Sequence, residues 1–164
     1  MFQEANSDYR VGFSKDIHRL GTNRRLMLAG VHVPFELGEI AHSDGDVVYH
    51  AVAESILGAL ALGDLGHHFP DNDASTTDMD SAIIMNYVYN KMNEMGYKVV
   101  NVDVSIVLEK PKLKDYISSM RNNIARLLNT EVENVSVKAG TNEKIGEEGL
   151  GEAVSAYSIV LLKK

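Results

Sequence analysis

The sequence predicts an α+β fold in a single domain, residues 1–164. Strand-like and helix-like segments are interspersed without the regular βαβα alternation of a doubly wound sheet. At 164 residues the chain is long enough to bury one sizeable core. Its composition, 45% apolar and 24% charged, is that of a globular protein rather than a disordered or fibrous one.

Periodicity and punctuation define the elements in order. From Tyr9 to Leu20 the residues alternate as in a strand, with Val11, Phe13, Lys15, Ile17 and Arg19 on one face. Gly12, Ser14, Asp16, His18 and Leu20 share the other. Leu26 to Val33 reads as a second strand stopped by Pro34, with Gly21 to Arg25 as the turn of an antiparallel hairpin. Val47 to Leu62 is an apolar helix, and Ser43-Asp44-Gly45-Asp46 before it has the spacing of a capping box. Gly63 to Asp80 is a long Asp-containing loop of the length expected for a lid or binding loop. Ser81 to Met95 is a helix closed by Gly96, Val99 to Leu108 a strand, and Tyr116 to Leu128 a third helix. Strands at Val135 to Ala139 and Ala153 to Leu162 complete the chain.

Several classes are excluded. Sixteen basic against 23 acidic residues give a net charge of −7, which argues against a nucleic-acid binder held by phosphate contacts. The absence of cysteine rules out disulfides, thiolate metal sites and cysteine nucleophiles. Met1 to Arg10 carries acids and no apolar run, and Ile56 to Gly63 is too short to span a bilayer. A cytoplasmic protein is expected, or a plastid one if a transit segment was removed.

Asp16 and His18, two apart on a strand, project to one side roughly 7 Å apart. One carboxylate oxygen and one imidazole nitrogen at that spacing can close on a single cation. His50 sits on the first helix with Asp46 one turn before it and Glu54 one turn after, acids able to orient a ligating ring. If the three met, Asp16, His18 and His50 would form a His₂–carboxylate site with an open position. His42 and Ser43 precede the helix N-terminus, where backbone N–H groups favour an anion, although Ser43 could serve only as a cap. Asp64, Asp71 and Asp73, taken singly, read as turn residues, with hydroxyl recognition in a polyol pocket as the functional alternative. Lys110-Pro111-Lys112 and Thr141-Asn142-Glu143-Lys144 end or follow strands, where lysines could neutralise phosphates and Glu143 could hold a divalent cation.

In combination these segments resemble the 2-C-methyl-D-erythritol 2,4-cyclodiphosphate synthase family, from Arg10 to Leu162. The most specific stretches are Ala41-His42-Ser43-Asp44-Gly45-Asp46 with His50, Ala61-Leu62-Gly63-Asp64-Leu65-Gly66, and Phe69-Pro70-Asp71. Asn101 to Val104, Pro111-Lys112, Val137-Lys138-Ala139, Thr141, Glu143-Lys144 and Gly146 supply the C-terminal half. The resemblance implies a mixed sheet with helices on one face and a homotrimer around a central cavity, its active sites lying between subunits. It implies zinc on Asp16, His18 and His50, and Mg²⁺ or Mn²⁺ on Glu143. His42 and Thr141 match transition-state stabilising positions, and His42 and Ser43 match positions that touch the erythritol phosphate in that family. Asp64, Leu65, Gly66, Phe69, Asp71 and Asp73 match the diol-binding region. Leu108, Pro111, Lys112, Leu113, Ala139, Gly140 and Thr141 match the cytidine-phosphate pocket.

The implied reaction is intramolecular: the substrate's 2-phosphate attacks its β-phosphorus, expels CMP and closes a cyclic diphosphate. A phosphate dianion needs no general base, in keeping with a sequence that shows no nucleophile–base pair. The chain departs from the family pattern at Ser14 (usually glycine), Lys15 (aromatic), Glu147 (aromatic) and Leu150 (arginine). Gly140 and Asn142 also replace small hydroxyl residues around Thr141. Leu150 argues against an isoprenoid phosphate bound in the trimer cavity. Two other functions compete: a metal-dependent phosphodiesterase using water, and a non-catalytic trimeric binding protein. Presence of Asp16, His18, His50 and Glu143 disfavours the second.

Overall fold

The computed structural model describes residues 8–70 and 77–164. A five-stranded mixed sheet runs in the order β4-β1-β7-β5-β6. Its strands are β1 (Tyr9–Gly21), β4 (Gly38–Ile40), β5 (Lys98–Val107), β6 (Val135–Gly140) and β7 (Ala153–Lys163). β1 pairs antiparallel with β7 from Tyr9↔Lys163 to Arg19↔Ala153, and with β4 at Arg19↔Ile40. β5 runs antiparallel to β7 and parallel to β6, so the β5–β6 connection must cross over the sheet. α4 (Ile117–Leu127) makes that crossing, with Met120, Ile124, Ala125 and Leu127 buried.

The expected hairpin between β1 and a strand from Leu26 to Val33 does not form. That segment divides into β2 (Leu26–Leu28) and β3 (Val31–Val33), which pair only with each other. The break falls at Ala29 and Gly30, with φ of 49° and 71°, the left-handed pair that a two-residue hairpin turn requires. β4, too short to stand out in the sequence, takes the place beside β1.

α1 (Val47–Ala59) and α3 (Ser81–Glu94) join α4 on one face of the sheet, α1 lying against β1 and β7. α1 is buried almost all round, as a central helix must be. Its cap is Asp46 rather than Ser43: the Asp46 carboxylate accepts the Tyr49 N–H, and also those of Ala29 and Gly30. Three aligned N–H donors make Asp46 the better acceptor, leaving Ser43 to take the Gly45 N–H. The stretch expected as an unbroken loop from Gly63 contains α2 (Leu65–His68), capped by Asp64. A further short helix, α5 (Gly146–Gly149), lies beyond β6, and Ser155 of β7 donates to its Glu148 carboxylate. Among the described residues no helix is long and apolar enough to cross a membrane.

β1 is unusual in the direction of its alternation. Its small and polar face turns inward under α1, whereas Val11, Phe13 and Ile17 point out, 68%, 62% and 43% exposed. Gly12 explains the inward choice. A Cβ there would stand 1.8 Å from the Ser55 carbonyl oxygen and 2.8 Å from the Ala59 nitrogen, so α1 rests directly on the strand backbone. Gly12→Ala is expected to cost about 3 kcal/mol or more, because the obstruction is backbone that cannot rotate away. Urea unfolding would show this as a lowered midpoint; an unchanged midpoint would contradict the close approach.

Candidate active site

The contact of α1 with β1 brings His50 over Asp16 and His18. Asp16 Oδ2 lies 3.1 Å from His18 Nε2 and 3.2 Å from His50 Nδ1, and the imidazole rings meet edge to face at 5.2 Å. One potential ligand atom from each residue falls within 4.8 Å of the other two. The union of these three, which spacing alone left open, is therefore present in the fold.

The far nitrogens of both rings are also engaged. His18 Nδ1 is 2.6 Å from the Gly45 carbonyl oxygen, to which it donates, so Nε2 is the nitrogen that faces Asp16 and that deprotonation would free for a cation. His50 Nε2 is 3.0 Å from Ser81 Oγ and 3.3 Å from Ser43 Oγ. Ser81 in turn donates to the Asp44 carboxylate, so its oxygen is open to an N–H from His50 Nε2, while Nδ1 faces Asp16 across the site. These outer contacts on both rings and the single carboxylate suit a divalent cation with an open coordination position. Asp46 and Glu54, expected to orient His50, do not: Asp46 caps α1, and Glu54 bonds Ser14 and Leu65.

Charge in the cluster follows from the same geometry. Burial pushes the Asp16 carboxyl up, but hydrogen bonds to His18 and His50 outweigh it and hold the group well below the usual carboxylate range. Burial likewise disfavours a charged His18, yet Asp16 and Glu39 raise its pKa to about 10. A cation bound through His18 Nε2 would displace the proton that Asp16 and Glu39 favour there. Behind it, burial pushes Glu39 up to about 7, opposed by His18 and by the Val47 and Met27 N–H groups that its carboxylate accepts.

The triad opens into a pocket of about 360 Å³ that is also lined by His42, Ser43, Glu54, Leu65, Gly66 and Phe69. Of the expected phosphate and diol residues, His42, Ser43, Leu65, Gly66 and Phe69 line this cleft, and Asp64 caps α2 next to Leu65; Asp71 and Asp73 lie outside the described residues. Arg24 holds the His42–Ser43 loop in place, donating to the carbonyls of Glu39, Ala41 and Ser43 and pairing with Asp78. Neither Arg24 nor the Ser81–Asp44 pair was signalled by sequence spacing, since their partners are distant in the chain. A second pocket, of about 350 Å³, contains Leu108, Pro111, Lys112, Leu113, Ala139, Gly140 and Thr141 together. Thr141 and Glu143 stand at the end of β6, hydrogen-bonded to each other. His42 and Thr141 line different pockets of the chain.

Fold and site define an α+β protein with a His₂–carboxylate centre and two separate clefts, one of them flanked by lysines. The chain belongs to the YgbB family, whose model matches residues 9–163. The 2-C-methyl-D-erythritol 2,4-cyclodiphosphate synthase of Brachyspira hyodysenteriae is 48% identical over 155 residues, covering 94% of this chain and 98% of its own. Its namesake from Fusobacterium nucleatum is 50% identical, with coverages of 94% and 97%. Among solved structures, the bifunctional IspDF of Campylobacter jejuni matches with a TM-score of 0.91 at 39% identity over 94% of this chain and 42% of that longer one. The CDP complex of Plasmodium falciparum IspF matches at 0.84 and 33%, covering 94% and 96%.

Asp16→Ala and His50→Ala are expected to abolish high-affinity uptake of a divalent cation while leaving the circular dichroism spectrum intact. Ser81→Ala should weaken uptake roughly 10–100-fold, the usual effect of removing a group that orients a ligand. Titration against a chelator measures both, and wild-type affinity in Ser81→Ala would contradict the orienting role.

Proposed function

We propose that this chain converts 4-diphosphocytidyl-2-C-methyl-D-erythritol 2-phosphate to 2-C-methyl-D-erythritol 2,4-cyclodiphosphate and CMP. It is a phosphorus–oxygen lyase of non-mevalonate isoprenoid biosynthesis acting as one domain. The observation that carries this reading is the meeting of Asp16, His18 and His50 with His42, Ser43, Leu65 and Gly66 in one cleft of a YgbB-family chain.

The chemistry asks the protein to fold a polyanion back on itself. A bond forms from a 2-phosphate oxygen to the β-phosphorus, the β-phosphorus bond to the bridging oxygen breaks, and CMP departs with that oxygen. Asp16, His18 and His50 hold zinc, and Glu143 holds Mg²⁺ or Mn²⁺. Bound there, the cations supply positive charge beside the phosphate oxygens. Ser43 and the backbone before α1 receive the 2-phosphate. Asp64 and the Leu65–Gly66 backbone orient the diol, with Phe69, Asp71 and Asp73 beside them. Leu108, Pro111, Lys112, Leu113, Ala139 and Gly140 seat the cytidine end, and His42 and Thr141 stabilise the charge that develops on the transferred phosphoryl group.

The two clefts are offset along one sheet, with β1 and β6 three strand spacings or roughly 14 Å apart. Packing protomers side by side sets the β1 cleft of one against the β6 cleft of the next, so a homotrimer completes each site. Val11, Phe13, Ile17 and Ile159 form an exposed apolar face on the side away from the long helices, and the central cavity of the trimer covers it. Phe13→Asp is expected to shift the mass seen by light scattering from trimer to monomer. A trimer of unchanged stability would contradict this placement.

Phosphorus NMR of the metal-loaded protein with substrate tests the reaction. Expected are CMP and a cyclic diphosphate in equal amounts, both lost on chelation. Linear phosphates alone would mean water is the nucleophile and the protein a phosphodiesterase. An unchanged spectrum from a loaded trimer would mean a binding protein.

A further inference from the structure

Glu54 lines the same cleft as the metal triad, yet it belongs to no ligand group there. It stands on α1 one turn beyond His50. Both of its carboxylate oxygens are committed: Oε2 accepts the Ser14 hydroxyl at 2.6 Å, and Oε1 accepts the Leu65 N–H at 3.2 Å. Ser14 is only 6% exposed, beneath α1 on the inward face of β1. The three groups therefore connect the metal-bearing strand, the metal-bearing helix and the start of α2.

We infer that Glu54, steadied by Ser14, is a positioning residue that fixes the backbone of Leu65 and so sets the Asp64–Gly66 turn against the metal-ligand cleft. The N–H groups of that turn show what the arrangement accomplishes. Leu65 donates to Glu54, and His67 donates to the Asp64 carboxylate at 2.9 Å. The Gly66 N–H between them has no partner among the described residues, and Gly66 lines the cleft. Anchoring its neighbours on both sides fixes the backbone of Gly66 at the edge of the cleft. Ser14 therefore has a task that glycine could not perform: without its hydroxyl, Oε2 loses its donor and the carboxylate is free to rotate off Leu65.

The substrate arm of this inference rests on the reaction proposed above; the backbone arm does not. Glu54→Gln removes the charge but keeps both contacts, because the amide oxygen can accept from Leu65 while the NH₂ donates to the Ser14 oxygen. Glu54→Ala removes both. In the metal-loaded holoenzyme, Glu54→Ala is expected to raise KM about tenfold with a smaller change in kcat, the scale of one lost charge-assisted hydrogen bond. Amide exchange at Leu65 to His68, measured without substrate, should quicken by a similar factor, with metal affinity unchanged. Glu54→Gln should remain within about threefold of wild type in every readout. If Glu54→Gln loses as much as Glu54→Ala, the carboxylate acts by its charge and the inference is overturned. It is equally overturned if Glu54→Ala leaves exchange at Leu65 to His68 unaltered. A wild-type protein that forms no cyclic diphosphate would remove the proposed reaction and leave the exchange result to decide the positioning role.

Discussion

Everything at the site depends on how closely α1 approaches β1. Four residues of helix rise about 6 Å and two residues of strand about 6.7 Å, so the two elements can face each other residue for residue over several steps. Here they do. Ser55 and Ala59 sit over Gly12, Glu54 over Ser14, and His50 over Asp16, while the Gly45 carbonyl before the helix meets His18. The absent side chain at Gly12 allows the approach, and the remaining steps place chemistry where a larger residue would place bulk. A helix standing off by the thickness of a valine would keep the same sequence of polar residues and lose the shared contact point of the three ligands.

The inward face of β1 is therefore given over to function, which sends its apolar residues to the outside. Fully alternating strands normally bury that apolar half. Lys15 and Tyr157, paired across β1 and β7, lie on this outer face with the ammonium 5.6 Å from the ring centre. The substitution of lysine for the family's aromatic residue thus keeps an aromatic contact, supplied from the neighbouring strand.

Much of this was readable from the sequence, and the remainder has an identifiable cause. The long strands and helices were evident because periodicity over ten or more residues is a strong signal, and the shared face of Asp16 and His18 followed from it. Short elements were not: β4 has three residues, and α2 and α5 have four each, fewer than a period can reveal. Ser43 and Asp46 both carry capping chemistry, and only tertiary structure shows that Asp46 collects three N–H groups. The second set of contacts around His50 was hidden for the same reason, since Ser81 lies 31 residues away. Proximity to His50 in the chain pointed to Asp46 and Glu54 as its partners, whereas both turn to other work.

Asp46 has one more effect, on cooperativity. A single buried carboxylate closes the first turn of α1 and the tight turn between β2 and β3, where Ala29 is held at a positive φ it would not adopt unaided. Neither turn can open without stripping the same buried anion of its donors. The small hairpin and the central helix are in this way joined into one unfolding unit, although they are separate in the sheet diagram. A peripheral ribbon of six paired residues thereby shares the stability of the most deeply buried helix in the protein.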